Sequence, residues 1–265
     1  MSGPFGSSPW GYSSGGSFYP YSIDQSLRFN DDDSAYLSRT PASAGNRKTW
    51  TWSGWVKRGN LGSYQSLFSS GTTSPAYANL RFMDTDKIQF FVGGAATYSI
   101  STTAVYRDVS SWYHIVFTFD VTESTASNRC KLYVNGTQQT LSGTFPTNAD
   151  WEINNTYPHA LGVQSVNGGF SSLFLDGYMA EVNFIDGTAL DPTSFGETIN
   201  GIWVPKAYDT ADGAYGNNGF YLPYTQDFTA GNSIFFSGTS DRVQHSDSTA
   251  YDIGASDDFT IEFFF

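Results

Sequence analysis

A chain of 265 residues with a formal net charge of −12 lacks the clustered Lys and Arg needed to displace phosphate counterions, which excludes a nucleic-acid-binding surface. Aromatic residues at 17%, 27 glycines and only 14% charged residues exclude a helical or wholly disordered chain. Aromatic side chains suit pleated surfaces and glycine supplies turns, so the composition is that of an all-β protein. The length accommodates one large β domain or one and a half smaller ones.

In chain order, residues 1–21 are, after Met1, only glycine, serine, proline and aromatics. Such a segment cannot bury enough surface to offset its ordering entropy, so it is read as an extended N-terminal arm. Phe5, Trp10, Tyr12, Phe18 and Tyr19 are spaced to drop into pockets on another subunit, which makes the arm a candidate anchor. The same residues contain no charged n-region and no long apolar run, so neither a Sec signal nor a membrane-inserting helix is read there.

The domain proper is expected over residues 22–200. Ser26–Leu37 reads as a strand, an acidic turn at Asn30–Asp33 and a returning strand. In Thr49–Lys57 (TWTWSGWVK), Trp50 and Trp52 share one face and Trp55 takes the other. Cover by a second layer is preferred for Trp55 over a sugar-stacking role, because central strands of a sandwich are often covered on both faces. Ser66–Ser70, Asn79–Met83 and Lys87–Val92 continue as short strands.

Arg107–Gly136 is the most strongly patterned stretch. Tyr113, Ile115, Phe117 and Phe119 alternate with Trp112, His114, Val116 and Thr118, which predicts a strand with one deeply buried face. Cys130, Leu132 and Val134 point inward on the next strand, and Asn135-Gly136 provides a tight reversal. The single cysteine is read as a small core hydrophobe. His114 is read as a structural residue.

Thr137–Phe170 reads as long connections with short strands near Trp151–Ile153 and Ala160–Val163. In the late strand, Tyr178, Ala180, Val182 and Phe184 are assigned to the buried face. Asp191-Pro192 supplies an N-cap and first residue for a single helical turn. Residues 201–230 are read as a linker. Residues 231–265 repeat the order of the first strands (SIFF, a polar turn, then FTIEFFF) and are read as the start of a second jelly-roll copy, truncated within its core strand.

Three blocks carry a resemblance. Thr49–Lys57, the central hairpin ending in Leu132-Tyr133-Val134-Asn135-Gly136, and Leu175–Leu190 (LDGYMAEVNFIDGTAL) together resemble the laminin-G-like or concanavalin-A-like jelly rolls. The resemblance implies an antiparallel two-sheet sandwich. It also implies a rim calcium site, for which Asp120, at the end of the hairpin strand, is the residue carried over. Calcium is therefore the one cofactor considered. Asp191–Gly196 and Ile202–Lys206 resemble jelly-roll proteins encoded by marine phages.

Catalysis is not read. Hydrolysis of a glycosidic bond calls for paired carboxylates, and the late strand offers only Glu181, flanked by Asn183. His114, His159 and His245 have no G-x-S-x-G partner. No catalytic residue is assigned. The expected function is that of a phage virion structural protein, in the tail or on the capsid. Its arm would bind other virion proteins, its jelly roll would be displayed as a homo-oligomer, and host-surface glycans would meet Tyr64, Tyr77, Asn154, Tyr157 and Asn167. A secreted adhesion lectin is the alternative.

Overall fold

The computed structural model describes residues 20–224 apart from 75, 95, 167 and 168. The chain divides into two units, Met1–Thr225 and Gln226–Phe265, and the described residues belong to the first. The arm anchors Phe5, Trp10, Tyr12, Phe18 and Tyr19, the candidate Asn167 and the second repeat lie outside the described residues.

Two seven-stranded antiparallel sheets form the sandwich, with strands numbered in chain order. The first runs β1 (Leu27–Phe29), β15 (Gly177–Asp186), β3 (Thr49–Arg58), β8 (Tyr113–Asp120), β9 (Cys130–Val134) and β10 (Thr137–Gln138), with β18 (Phe220–Leu222) also on β15. The second runs β11 (Leu141–Thr144), β7 (Tyr98–Thr102), β6 (Ile88–Val92), β5 (Ala76–Phe82), β4 (Gln65–Thr73), β12 (His159–Leu161) and β2 (Leu37–Arg39). Two small ribbons, β13–β14 (Gln164–Val166, Gly169–Ser172) and β16–β17 (Gly196–Ile199, Ile202–Pro205), complete it. The strands expected around residue 27 and residue 37 are both present, but they enter opposite sheets and do not pair.

Alternation builds the core as the sequence predicts. Ile115, Phe117 and Phe119 of β8, and Cys130, Leu132 and Val134 of β9, lie in one apolar cluster with Trp50 and Trp52. Aromatic contacts join the sheets: Trp50 meets Phe90 of β6 edge-on at 5.8 Å, Phe90 packs on Phe117 at 4.6 Å, and Phe68 packs on Phe184 at 5.2 Å. The Asn135-Gly136 reversal has φ of +48° and +75°, the left-handed geometry of a two-residue hairpin. Burial pushes the Cys130 thiol well up, so it behaves as an apolar group.

Four expectations are corrected. Trp151 and Ile153 are buried, but they lie in an irregular segment rather than a strand. Residues 201–224 are not a linker, because Trp203 of β17 packs on His114 of the first sheet and β18 pairs with Val182–Phe184. Pro192–Ser194 does form one 3₁₀ turn, yet the Asp191 side chain makes no cap bond. The late strand is also out of simple alternation: its register shifts between Ala180 and Asn183, and Glu181 has φ +50°. This bulge puts Met179 in the core with Val182 and Phe184, and turns Tyr178 and Ala180 to the outer face.

Two polar knots lie under the loops. Arg58, with a fully buried side chain, donates to Asp86 at 3.0 Å and to the Tyr106 carbonyl at 2.7 Å, while Arg107 reaches the other Asp86 oxygen at 2.9 Å. These donors and the Gly62 N–H outweigh burial and hold the Asp86 carboxyl below its ordinary range. The second knot centres on Asp186. It accepts from the Asn46 and Asn218 backbone N–H groups at 2.8 and 3.1 Å and from the Asn154 amide.

Candidate functional site

The outer face of the first sheet carries the site. Antiparallel register sets Trp55 of β3 between His114 of β8 and Ala180 of β15. Further along this face, Val116, Tyr133 and Ile185 are covered by Phe195, with Leu190, Tyr208 and Tyr215 packed against them. The covering segment stops short of Trp55. Its last contribution there is Trp203 of β17, which stands over Gly136: a Cβ on that glycine would come within 2.4 Å of the indole. The hairpin turn is therefore glycine both for its positive φ and to admit Trp203.

An open groove of about 480 Å³ remains beside this stack. It is lined by Trp55, Trp112 and Trp203, all partly exposed, by the segment from Tyr21 to Ser26, and by Val204 and Pro205. Ala180, the strand partner of Trp55, is also a lining residue, and its single methyl takes little room there.

His114 organises the aromatic wall from below. Its ring stacks on Trp55 at 4.8 Å and lies within 22° of the Trp203 ring plane. The Trp203 indole N–H donates to Nδ1 at 3.0 Å. An indole can only donate, so Nδ1 is bare and Nε2 carries the proton, directed at Ser53 Oγ 2.9 Å away. Burial pushes the imidazole down to about 3, and it is neutral at physiological pH. The backbone of His114 exchanges bonds with Asn135, both at 2.8 Å, which ties the hairpin turn to the same assembly.

Glu181 touches the groove lining through Tyr21. It sits where the edge partner of β15 changes from β1, at residues 177–179, to β18, at 182–184. The bulge keeps its side chain out of the core, and its Oε2 accepts from the Tyr21 and Tyr221 hydroxyls, each at 2.7 Å. Burial, first, and the neighbouring Glu181 charge raise the phenols of Tyr21 and Tyr221.

The residues nominated from sequence do not converge on this groove. Asn154 is fully buried: its amide bonds Asp186 and the Asn46 carbonyl, its carbonyl accepts from Asn218, and its N–H donates to His159 Nε2 at 2.8 Å. It is a structural residue, because a buried carboxylate needs those donors. Tyr64, just before β4, lies under the guanidinium of Arg81 at 4.8 Å, and Tyr77 of β5 stacks on Phe91 of β6 at 4.7 Å. The Tyr157 carbonyl accepts from His159 Nδ1. The Asp120 carboxylate accepts from the Thr122 N–H and hydroxyl and from Thr49 Oγ1, and so fastens a turn. Among the described residues, no group of three or more His, Cys, Asp or Glu could hold a metal ion.

Trp55 therefore departs from the preferred expectation: it is covered on one side by His114 and opens to the groove on the other. Trp112 and His114 were placed on this face by alternation. The contributions of Trp203, Tyr21 and Tyr221 were not foreseen, since each comes from a segment remote in sequence.

The family model agrees with the fold. Residues 30–194 match the family model described as the concanavalin A-like lectin/glucanases superfamily, and the chain belongs to that family. A search of curated proteins found no match. Among solved structures, the chain is similar to NanB sialidase from Streptococcus pneumoniae (17% identity, 66% of this chain and 28% of that one, TM-score 0.49). It is also similar to the CBM40 of the Ruminococcus gnavus IT-sialidase, bound to α2,3 sialyllactose (16%, 54% and 88%, TM-score 0.40). A third is domain 4 of AbnA, a GH43 extracellular arabinanase from Geobacillus stearothermophilus, in complex with arabinotriose (22%, 57% and 65%, TM-score 0.43).

Proposed function

We propose that this domain is a non-catalytic glycan-binding module whose ligand lies on the tryptophan wall. The observation that carries this reading is the groove itself: the partly exposed indoles of Trp55, Trp112 and Trp203 line one open pocket together with Tyr21, Ser22, Asp24, Gln25 and Ser26. Pyranose rings offer apolar C–H faces and a rim of hydroxyls, so an aromatic platform beside hydrogen-bonding groups is the complementary surface. The family includes lectins and glucanases, and either would use such a surface to hold sugar. The test is a glycan array probed with the full chain and with Trp55→Ala. Retention of one or more glycans by the full chain, lost in the variant without loss of folding, is expected. Hydrolysis of the retained glycans would overturn the non-catalytic part.

The finer reading is that the module is displayed on a phage particle, anchored through residues 1–21 to other virion proteins. It is supported by the glycine, serine and aromatic composition of that segment and by the phage-like wording of residues 191–196 and 202–206. A pull-down of virion proteins with the full chain and with a variant lacking residues 1–21 tests it. Capture of a capsid or tail protein by the full chain alone supports anchoring, and equal capture by both removes it. Capture by neither favours a secreted adhesion lectin.

A further inference from the structure

We infer that Tyr178 forms a second sugar subsite beside the groove, so that the site takes a run of linked sugars along a glycan chain rather than one terminal residue. The inference rests on the glycan-binding reading above and names the ligand class for the same site.

Strand geometry places the residue. Ahead of the bulge, β15 alternates normally, so Tyr178 shares the outer face with Ala180, which lines the groove. The same step is repeated on β3, where Lys57 pairs with Tyr178 and Trp55 pairs with Ala180. Residues two apart on a strand are separated by about 6.5 Å, close to the length of one pyranose unit in an extended chain.

Ring contact carries the surface from the groove to Tyr178. Its centroid is 6.4 Å from that of Trp112, a lining residue. Tyr178 is 37% exposed. One exposed aromatic residue on its own needs no explanation, but this one abuts a groove lined by three partly exposed indoles. The groove, at about 480 Å³ and open, has more room than one pyranose ring fills.

Tyr178 is also held in place. The Arg28 guanidinium lies over its ring, 5.2 Å from the centroid, and Arg28 is itself fixed by the Gly177 carbonyl at 3.1 Å and by Asp176. A side chain ordered before binding loses little freedom when a sugar stacks on it. Its register partners, Arg28 of β1 and Lys57 of β3, are both hydrogen-bond donors of the kind that sugar hydroxyls accept from.

The test measures the affinity of the full chain for glucose oligomers of one to five units, β1,4-linked in one series and β1,3-linked in another, and for the same lengths of any glycan the array retains. It is repeated with Tyr178→Ala, Tyr178→Phe and Trp55→Ala. Wild-type affinity should rise roughly tenfold or more between the shortest oligomer that binds and one two units longer. Tyr178→Ala should remove most of that gain and leave the shortest oligomer's affinity unchanged, while Tyr178→Phe, which keeps the ring, should retain the gain. Affinity that does not rise with length would overturn the inference and leave the groove intact as a glycan site. A gain untouched by Tyr178→Ala would overturn it too, by assigning the added sugar to other residues. Equal weakening at every length would mark Tyr178 as a support for Trp112 and likewise overturn it. Binding that survives Trp55→Ala, or absence of binding to every oligomer, would overturn the underlying glycan-groove reading and this inference with it.

Discussion

Trp203 donates its indole N–H to His114 Nδ1 at 3.0 Å, and this bond joins residues 89 apart in sequence into one wall of the groove. Trp203→Phe keeps an aromatic ring but leaves a buried acceptor bare. A cost of about 1–3 kcal/mol is expected, because an unpaired buried polar atom forfeits its hydration without return. Urea denaturation of the two proteins measures it. An unchanged midpoint would show that the bond does not hold the wall.

Acid should loosen the same assembly. His114 and His159 are held neutral in the fold, pushed down to about 3 and about 4, chiefly by burial. Both accept at a ring nitrogen that protonation would block, from Trp203 and from the Asn154 N–H. The unfolded chain takes up these protons near pH 6.5 and therefore binds more protons than the native state below that value. Stability is full above pH 6.5 and is lost as the pH falls from there towards 4 and 3. The slope is at most about 1.4 kcal/mol per pH unit for each histidine. Denaturation at pH 7.5, 6 and 5 tests this, and a flat profile would contradict it.

Asn154 should matter for stability and not for binding. Asn154→Ala removes a donor from the buried Asp186 carboxylate and an acceptor from the Asn218 amide, leaving both short of partners. A loss of about 2–4 kcal/mol is expected for breaking a buried network of this kind. Glycan affinity of the remaining folded protein should equal wild type, because Asn154 does not line the groove.

Ala180→Leu should do the reverse. The position pairs with Trp55 across the strands and lines the groove, so added volume takes room from it. Glycan affinity should fall at least tenfold while the melting temperature stays within a few degrees. Undiminished affinity would place the sugar elsewhere.

How much of this was legible in the sequence depended on the range of the interactions. The core followed from alternation within Trp112–Phe119 and Cys130–Val134, because side-chain direction along a strand is a local property. Alternation also put Trp55, Trp112 and His114 on the outer face. The bulge was invisible: Ala180-Glu181-Val182 continues an acceptable strand pattern, and the shift at Glu181 arises where β1 gives way to β18 along one edge. Tyr21 lies 160 residues from the carboxylate it meets, and Asn154 lies 64 from Asn218. A loop asparagine reads as exposed until the chain that buries it is in place.

The most direct test of the tryptophan-walled groove is nuclear magnetic resonance of the indole N–H groups during titration with a glycan retained on the array. The chain has seven tryptophans, and Trp50 and Trp52 are at most 1% exposed while Trp55, Trp112 and Trp203 border the groove. Glycan should shift the signals of Trp55 and Trp112, with a smaller movement at the bonded Trp203, and leave Trp50 and Trp52 unmoved. Saturable binding with the three groove indoles unchanged would contradict the account and assign the ligand to another surface.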